Sequence, residues 1–349
     1  MRSFDYNNLE NLKLDSDIVF LLGRIHEAKG KQEIFLAHKP KELDRLVDVA
    51  KIQSTEASNA IEGIRTTDTR LKQLLTEKTT PKNRAEEEIA GYRDVLNVIH
   101  DSFEFIPLTS NYILQLHKML FARTGLEIGG KFKSVQNYIT AVDINGNSYT
   151  LFTPLAPYET PKAIDEICKQ FNKAIADNKV DPLILIPVFI HDFLCIHPFL
   201  DGNGRMSRLL TTLLLYRCGY FVGKYISLEA KIAQDKNSYY DALAKSQTGW
   251  LIGKDNPTAF IKYLLGIIVS AYRDFEERID IVTIKTTSLD MVRKTIAGVM
   301  GKFTKADIIK LCPTVGVKTI EKHLKTLLDL NEIQKHGSAR ATFYTRNQK

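Results

Sequence analysis

Residues 197–208 read HPFLDGNGRMSR, and this stretch decides what the rest of the chain has to build. Before it comes PLILIPVFIHDFLCI, residues 182–196, which is apolar nearly all round and is expected to form a helix at the centre of the core. After it, RMSRLLTTLLLYRC predicts a second helix beginning with Arg205 and closed by Gly219. Between the two helices, Gly202 and Gly204 flank Asn203, so backbone N–H groups can turn toward one point at a helix N-terminus. That geometry and the helix dipole make an anion site. Arg205 and Arg208, three residues apart, add two guanidinium forks suited to phosphate oxygens. Asp201 offers a hard oxygen for Mg²⁺ between itself and the phosphates. His197 is the nearby group able to take a proton at neutral pH. A base, a metal ligand, an anion cradle and an arginine clamp within twelve residues predict nucleotidyl or phosphoryl transfer. The pattern is no Rossmann fingerprint, since the third glycine fails at Ser207 and no strand precedes it, and no Gly-Lys-Ser/Thr of a P-loop is present.

Outward from this stretch the chain reads as mostly α. Residues 14–104 are helical by their three- and four-residue apolar steps, as in KELDRLVDVAKIQSTEA and RAEEEIAGYRDVLNVIHDSF, and one helix ends at Gly63. Another begins near Thr109. The period then changes to two in SVQNYITAVDINGNSYTLFTPL, where Asn145-Gly146 suits a tight turn, so a single β-hairpin over 135–152 is expected to interrupt the helices. Helices resume with PKAIDEICKQFNKAIA and continue through TAFIKYLLGIIVSAYRDFEERI. Beyond a polar stretch at Thr283, Lys285, Thr286, Thr287 and Ser288, the order helix, turn, helix, hairpin predicts a winged helix-turn-helix. Three domains are therefore expected: an N-terminal helical region 1–108, a core 109–282 and a C-terminal domain 283–349.

The 349 residues are 44% hydrophobic and 26% charged, which excludes a disordered tail, a collagen and a disulfide miniprotein. The net charge of +7 is not evenly spread. Residues 283–349 hold thirteen Lys and Arg against five Asp and Glu, a net +8, which leaves −1 for residues 1–282. A recognition helix carrying Lys318, Lys322 and Lys325, with Arg340 on a wing, would suit a phosphate backbone, and a protein-docking role is the alternative. Cys168, Cys195, Cys218 and Cys312 are widely spaced and suggest reduced thiols rather than a zinc site. With neither a signal-peptide core nor an apolar run long enough to span a bilayer, a cytoplasmic location and no membrane partner are expected.

HPFLDGNGRMSR resembles the signature of Fic-domain proteins, His-x-Phe-x-Asp/Glu-Gly-Asn-Gly-Arg-x-x-Arg, at every defined position, and the resemblance extends over roughly residues 40–275. It implies a Fic-fold helical bundle that transfers AMP from ATP, with Mg²⁺, to a hydroxyl of a target protein and of itself. It also implies residue roles: His197 deprotonates the hydroxyl, Phe199 anchors the loop, and Asp201 holds Mg²⁺. Asn203 and the loop amides, Gly202 and Gly204 among them, would take the α-phosphate, and Arg205 and Arg208 the β- and γ-phosphates. The hairpin resembles the family's flap, which holds the target by strand addition, although Gly130-Lys-Phe132-Lys133 has Lys where the family often has Arg. ISLEAKIAQDKNSYYDALAKS resembles the stretch lining an adenine pocket, with Asn237 a partner of the base and Tyr240 a packing wall. Ser58-Asn-Ala-Ile-Glu62-Gly63 fits the family's inhibitory motif Ser/Thr-x-x-x-Glu-Gly/Asn. Four residues apart on a helix, Ser58 and Glu62 share a face, and a Glu62–Arg208 pair would occupy the clamp that the γ-phosphate needs. Two competing functions are removal of AMP by the same residues and DNA-binding regulation with the Fic part as nucleotide sensor. Homodimers are frequent among relatives.

Overall fold

The computed structural model describes residues 4–38, 40–76, 79–142, 146–283, 288–299, 301–338 and 341–347. Two compact units are present, one of residues Met1–Glu33 with Ala50–Tyr272 and one of Ile34–Val49 with Arg273–Lys349.

Helices dominate both units. In chain order they are α1 (Ser16–His38), α2 (Pro40–Ile61), α3 (Asp68–Leu75), α4 (Arg84–Ser102) and α5 (Ser110–Leu120). After a hairpin come α6 (Thr160–Asp177), α7 (Pro182–Ile196), α8 (Asn203–Arg217), α9 (Val222–Tyr225), α10 (Leu228–Gln234), α11 (Lys236–Gln247) and α12 (Thr258–Thr283). The predicted hairpin is β1 (Ile139–Val142) against β2 (Ser148–Phe152), antiparallel, with Thr140 opposite Thr150 and a bulge beside Ile139. Asn145, its expected turn residue, lies outside the described residues, and Gly146 has a left-handed φ of 86°.

α7 is the centre of the first unit. Asp181 caps it by accepting the Leu183 N–H at 2.8 Å, Pro182 fills the first position, and every residue from Leu183 to Ile196 is buried. Its one carboxylate, Asp192, is satisfied there by the Tyr6 hydroxyl at 2.8 Å and the Trp250 Nε1–H at 2.6 Å. α6, α8 and α11 pack around it, and α4 and α5 complete the wall behind α8. No disulfide links the four cysteines. Among the described residues no helix is long and apolar enough to cross a membrane.

The second unit holds α13 (Ser288–Gly298), α14 (Lys305–Leu311), α15 (Val317–Asp329) and the hairpin β3 (Ile333–His336) with β4 (Phe343–Arg346). Its core gathers Val292, Ile296, Phe303, Ile308, Ile320, Leu324, Leu327 and Ile333. α13 was not anticipated from the sequence. Lys318, Lys322 and Lys325 are exposed on the face of α15 away from that core, whereas Arg340 and the polar residues 284–287 lie outside the described residues.

Candidate active site

The loop between α7 and α8 is tight because two residues adopt left-handed backbones. His197 closes α7 with φ 50°, and Gly202, with φ 84°, opens α8. α8 therefore starts at Asn203, two residues earlier than the apolar period suggested. At Gly202 a side chain is barred twice, by its φ and by the Phe121 ring 2.9 Å from where a Cβ would sit. Phe199 is fully buried and stacks on His117, ring centres 3.7 Å apart and planes 3° apart, so it anchors the loop.

His197 borders a cavity of about 380 Å³ together with Glu62, Asp201, Gly202, Asn203, Gly204, Arg208, Tyr239 and Tyr240. Its Nδ1–H donates to the Leu194 carbonyl at 3.2 Å, which leaves the Nε2 lone pair as the basic position. Burial pushes the imidazole pKa down to about 4; the Leu194 bond opposes this, and the nearby Lys133 adds to it. The ring is thus neutral and able to accept a proton across the physiological range. Lys133, just before the β1–β2 hairpin, ties that segment to the loop. Its Nζ donates to the Ile196 carbonyl at 3.0 Å and to Asn137 Oδ1 at 2.8 Å, while Asn137 Nδ2 donates to the carbonyls of His197 and Phe199.

Arg208 and Glu62 meet as expected. The guanidinium, 3% exposed, reaches Glu62 Oε1 at 2.8 Å, Ser58 Oγ at 2.8 Å and the Ser58 carbonyl at 2.9 Å, and its Nη1 has no partner among the described residues. Gly63, φ 80°, turns the chain directly after Glu62. A Cβ on Gly204 would fall on Glu62 Oε1 and lie 3.3 Å from Arg208 Nη1, so the Glu62 carboxylate sits against the N-terminal turn of α8. A carboxylate therefore occupies the place where helix dipole and arginine favour an anion.

Three expected roles are corrected by the geometry. Arg205 does not face the cavity: it is 1% exposed and pairs with Glu88 of α4 at 2.6 Å and Asp201 at 3.3 Å, because a buried guanidinium requires carboxylates at hand. The Asn203 side chain is also committed, accepting the Phe199 N–H at 2.9 Å and donating to the Phe199 carbonyl at 2.8 Å, so only its backbone remains for an anion. Asn237 is exposed and outside the cavity wall; the α11 face that lines it is Tyr240, Leu243, Ala244 and Gln247, at helical steps of three and four. Sequence reading missed Glu88, Arg84 and Gln247. Extending the α11 face by two turns from Tyr240 would have reached Gln247; nothing local to the motif pointed to Glu88.

Asp201 fits a divalent cation. It lines the cavity with 45% of its side chain exposed, and its Oδ1 is held by the Gly202 N–H at 2.6 Å. One hard carboxylate oxygen facing an anion cradle is the donor set Mg²⁺ uses with phosphates.

The fold and the site together are a helical bundle whose glycine-turned loop brings a neutral histidine, a carboxylate and a helix N-terminus to one cavity. Residues 107–215 match the Fic/DOC family model, and the chain carries a Fic domain. It is 28% identical over 102 residues to a Fido domain-containing protein of Dictyostelium discoideum, covering 28% of this chain and 67% of that protein. A protein adenylyltransferase Fic of Nematostella vectensis is 25% identical over 217 residues, 59% of this chain and 46% of its own length. Thus the chain spans less than half of that adenylyltransferase. Among solved structures, a Fic family protein from Desulfovibrio desulfuricans superposes with a TM-score of 0.63 at 21% identity, over 97% of this chain and 98% of that one. Fic-1 from Caenorhabditis elegans gives 0.62 at 18% identity, over 76% and 74%. These two likenesses are of fold.

Proposed function

We propose that the protein transfers AMP from ATP to a hydroxyl side chain of a target protein, and to itself, and that Glu62 restrains it. The observation carrying this reading is an internal anion in the cradle: the Glu62 carboxylate rests at the N-terminus of α8 and on Arg208, where a nucleotide phosphate would sit. With that carboxylate moved aside, Arg208 and the first amides of α8 bind phosphate oxygens. His197 Nε2 takes the hydroxyl proton as the oxygen bonds to the α-phosphorus, and the bond to pyrophosphate breaks. Asp201 would hold Mg²⁺, which supplies charge neutralisation for the phosphates when bound. Tyr240, Leu243 and Gln247 offer an apolar wall and one amide to a base. The target segment lies along the hairpin, whose Tyr138, Ile139 and Thr140 border the same cavity. The relatives named protein adenylyltransferase support the transfer chemistry. We also read the second unit as a winged helix-turn-helix with α15 as its basic face.

The test uses ATP labelled at the α-phosphate, with wild type, Glu62→Gly and His197→Ala. Weak protein labelling by wild type, strong labelling by Glu62→Gly and none by His197→Ala are expected. Equal labelling by wild type and Glu62→Gly would refute the restraint, and transfer of γ-label instead would refute AMP transfer.

A further inference from the structure

Asp201 and the three charges behind it form a connected ring. Asp201 Oδ1 is doubly held, by the Gly202 N–H at 2.6 Å and Arg205 Nη2 at 3.3 Å. Arg205, buried over the Phe121 ring, pairs through Nη1 with Glu88 Oε2 at 2.6 Å. Glu88, 6% exposed, accepts from Arg84 Nε at 2.9 Å through its other oxygen. Arg84 then returns to the start, its Nη2 3.6 Å from Asp201 Oδ2. Two cations and two anions alternate around this ring, so each buried charge is compensated.

The two ends of the ring differ in freedom. Arg205 is locked inside the protein and, with the Gly202 N–H, holds Oδ1, so Oδ2 is the less committed oxygen of Asp201. Arg84, at the first turn of α4, is 61% exposed and can swing away at little cost. Its guanidinium stands beside the oxygen that a divalent cation would take.

We infer that Glu88 and Arg84 are positioning residues for cation binding at Asp201, with opposite effects: Glu88 promotes it and Arg84 competes with it. Glu88 neutralises Arg205; without that charge, Arg205 pulls on Asp201 as an uncompensated cation and Arg84 loses the partner that draws it off Oδ2. Arg84 is a stand-in cation that gives way when a divalent ion arrives with the nucleotide. The inference rests on reading Asp201 as the metal ligand.

The experiment measures Mn²⁺ affinity by electron paramagnetic resonance in the presence of the α,β-methylene analogue of ATP, in the Glu62→Gly background, where the cradle is open. Analogue binding in EDTA is measured alongside. Arg84→Ala should tighten Mn²⁺ about threefold to tenfold and Glu88→Gln should weaken it by a similar factor, as for one elementary charge a few ångström from the ion in a half-exposed site. Analogue affinity in EDTA should be unchanged in both. A merely structural role for the ring would move both variants in the same direction. Arg84→Ala weakening Mn²⁺ and analogue together would make Arg84 a phosphate ligand and overturn the inference; Mn²⁺ affinity unchanged in Arg84→Ala, a surface variant, would overturn it equally. Asp201→Asn separates the two readings. If it leaves Mn²⁺ affinity at the parent value, the metal role of Asp201 itself falls. If it abolishes binding while Arg84→Ala and Glu88→Gln match the parent, only the present inference falls.

Discussion

His117 on α5 couples the loop between α7 and α8 to the solvent pH through two hydrogen bonds. Its Nδ1 accepts the Gly130 N–H at 3.0 Å and its Nε2–H donates to the Asp201 carbonyl at 3.0 Å, while its ring face is closed by Phe199. Burial is the main force holding its pKa down to about 4; the Asp201 carbonyl opposes it and the Arg205 charge adds to it. The folded-state pKa thus lies below the usual 6.5, so the unfolded chain binds a proton that the folded one refuses. Stability is complete above pH 6.5 and is lost as pH falls toward 4, at up to about 1.4 kcal/mol per pH unit. Between pH 7 and 4.5 the loss from His117 comes to about 2 kcal/mol. His100, held down to about 3 by burial, and His197 act in the same direction, so only a difference between variants isolates one ring. His117→Phe keeps the stack but strands the Gly130 N–H and the Asp201 carbonyl, a cost of roughly 2 to 4 kcal/mol at pH 7. The assay is urea unfolding in EDTA followed by fluorescence of Trp250, the sole tryptophan, which is fully buried in the first unit. The stability gap between wild type and His117→Phe should narrow by about 2 kcal/mol from pH 7 to 4.5. A gap that stays constant would refute the neutral, doubly bonded His117.

Two further predictions concern the loop and the helix that faces it. Lys236 Nζ donates to the Ile61 carbonyl at the end of α2, capping a helix terminus beside Glu62. Lys236→Met should raise α-phosphate labelling about fivefold in the wild-type background, as for a lost bond of about 1 kcal/mol, and leave Glu62→Gly unchanged; an increase in both would place Lys236 outside the restraint. Asn203→Ala removes both bonds to Phe199 and should lower the melting midpoint of nucleotide-free protein by several degrees, read by Trp250; an unchanged midpoint would show that the side chain serves only a ligand.

What could be read from the sequence was what its own neighbours determine. α7 was legible because fifteen nearly uninterrupted apolar residues have no surface solution, and the loop because two glycines and a histidine before proline leave the chain few ways to turn. The Glu62–Arg208 pair was legible as well, since helical spacing fixes where Ser58 and Glu62 project. Arg205 and Arg208 look alike in sequence, three apart on one helix, yet one faces the cavity and the other a carboxylate contributed by α4. Which guanidinium is spent on packing depends on Glu88, a residue whose EEE run reads only as a favourable first turn. Asn203 failed for a related reason: an amide serves a backbone or a phosphate equally well, and the tight loop brings Phe199 within its reach first. Asn237 was placed by resemblance, whereas the wall of the cavity follows the helical face one turn further along.

Glu62 stands just beyond α2, whose last residue is Ile61, on a turn made by Gly63. Ser58, by contrast, lies inside the helix and binds Arg208 through both its hydroxyl and its carbonyl. Turning the Glu62 side chain aside therefore breaks one of the three hydrogen bonds that Ser58 and Glu62 make to Arg208, and the two from Ser58 keep the guanidinium aimed. On the proposed reading, the restraint is a competition between two anions for one prepared arginine, and α2 stays docked in both states. Inhibition of that kind is relieved by rising nucleotide concentration. A mechanism that required α2 to undock would show instead as loss of hydrogen-exchange protection along residues 50–61 when ATP binds.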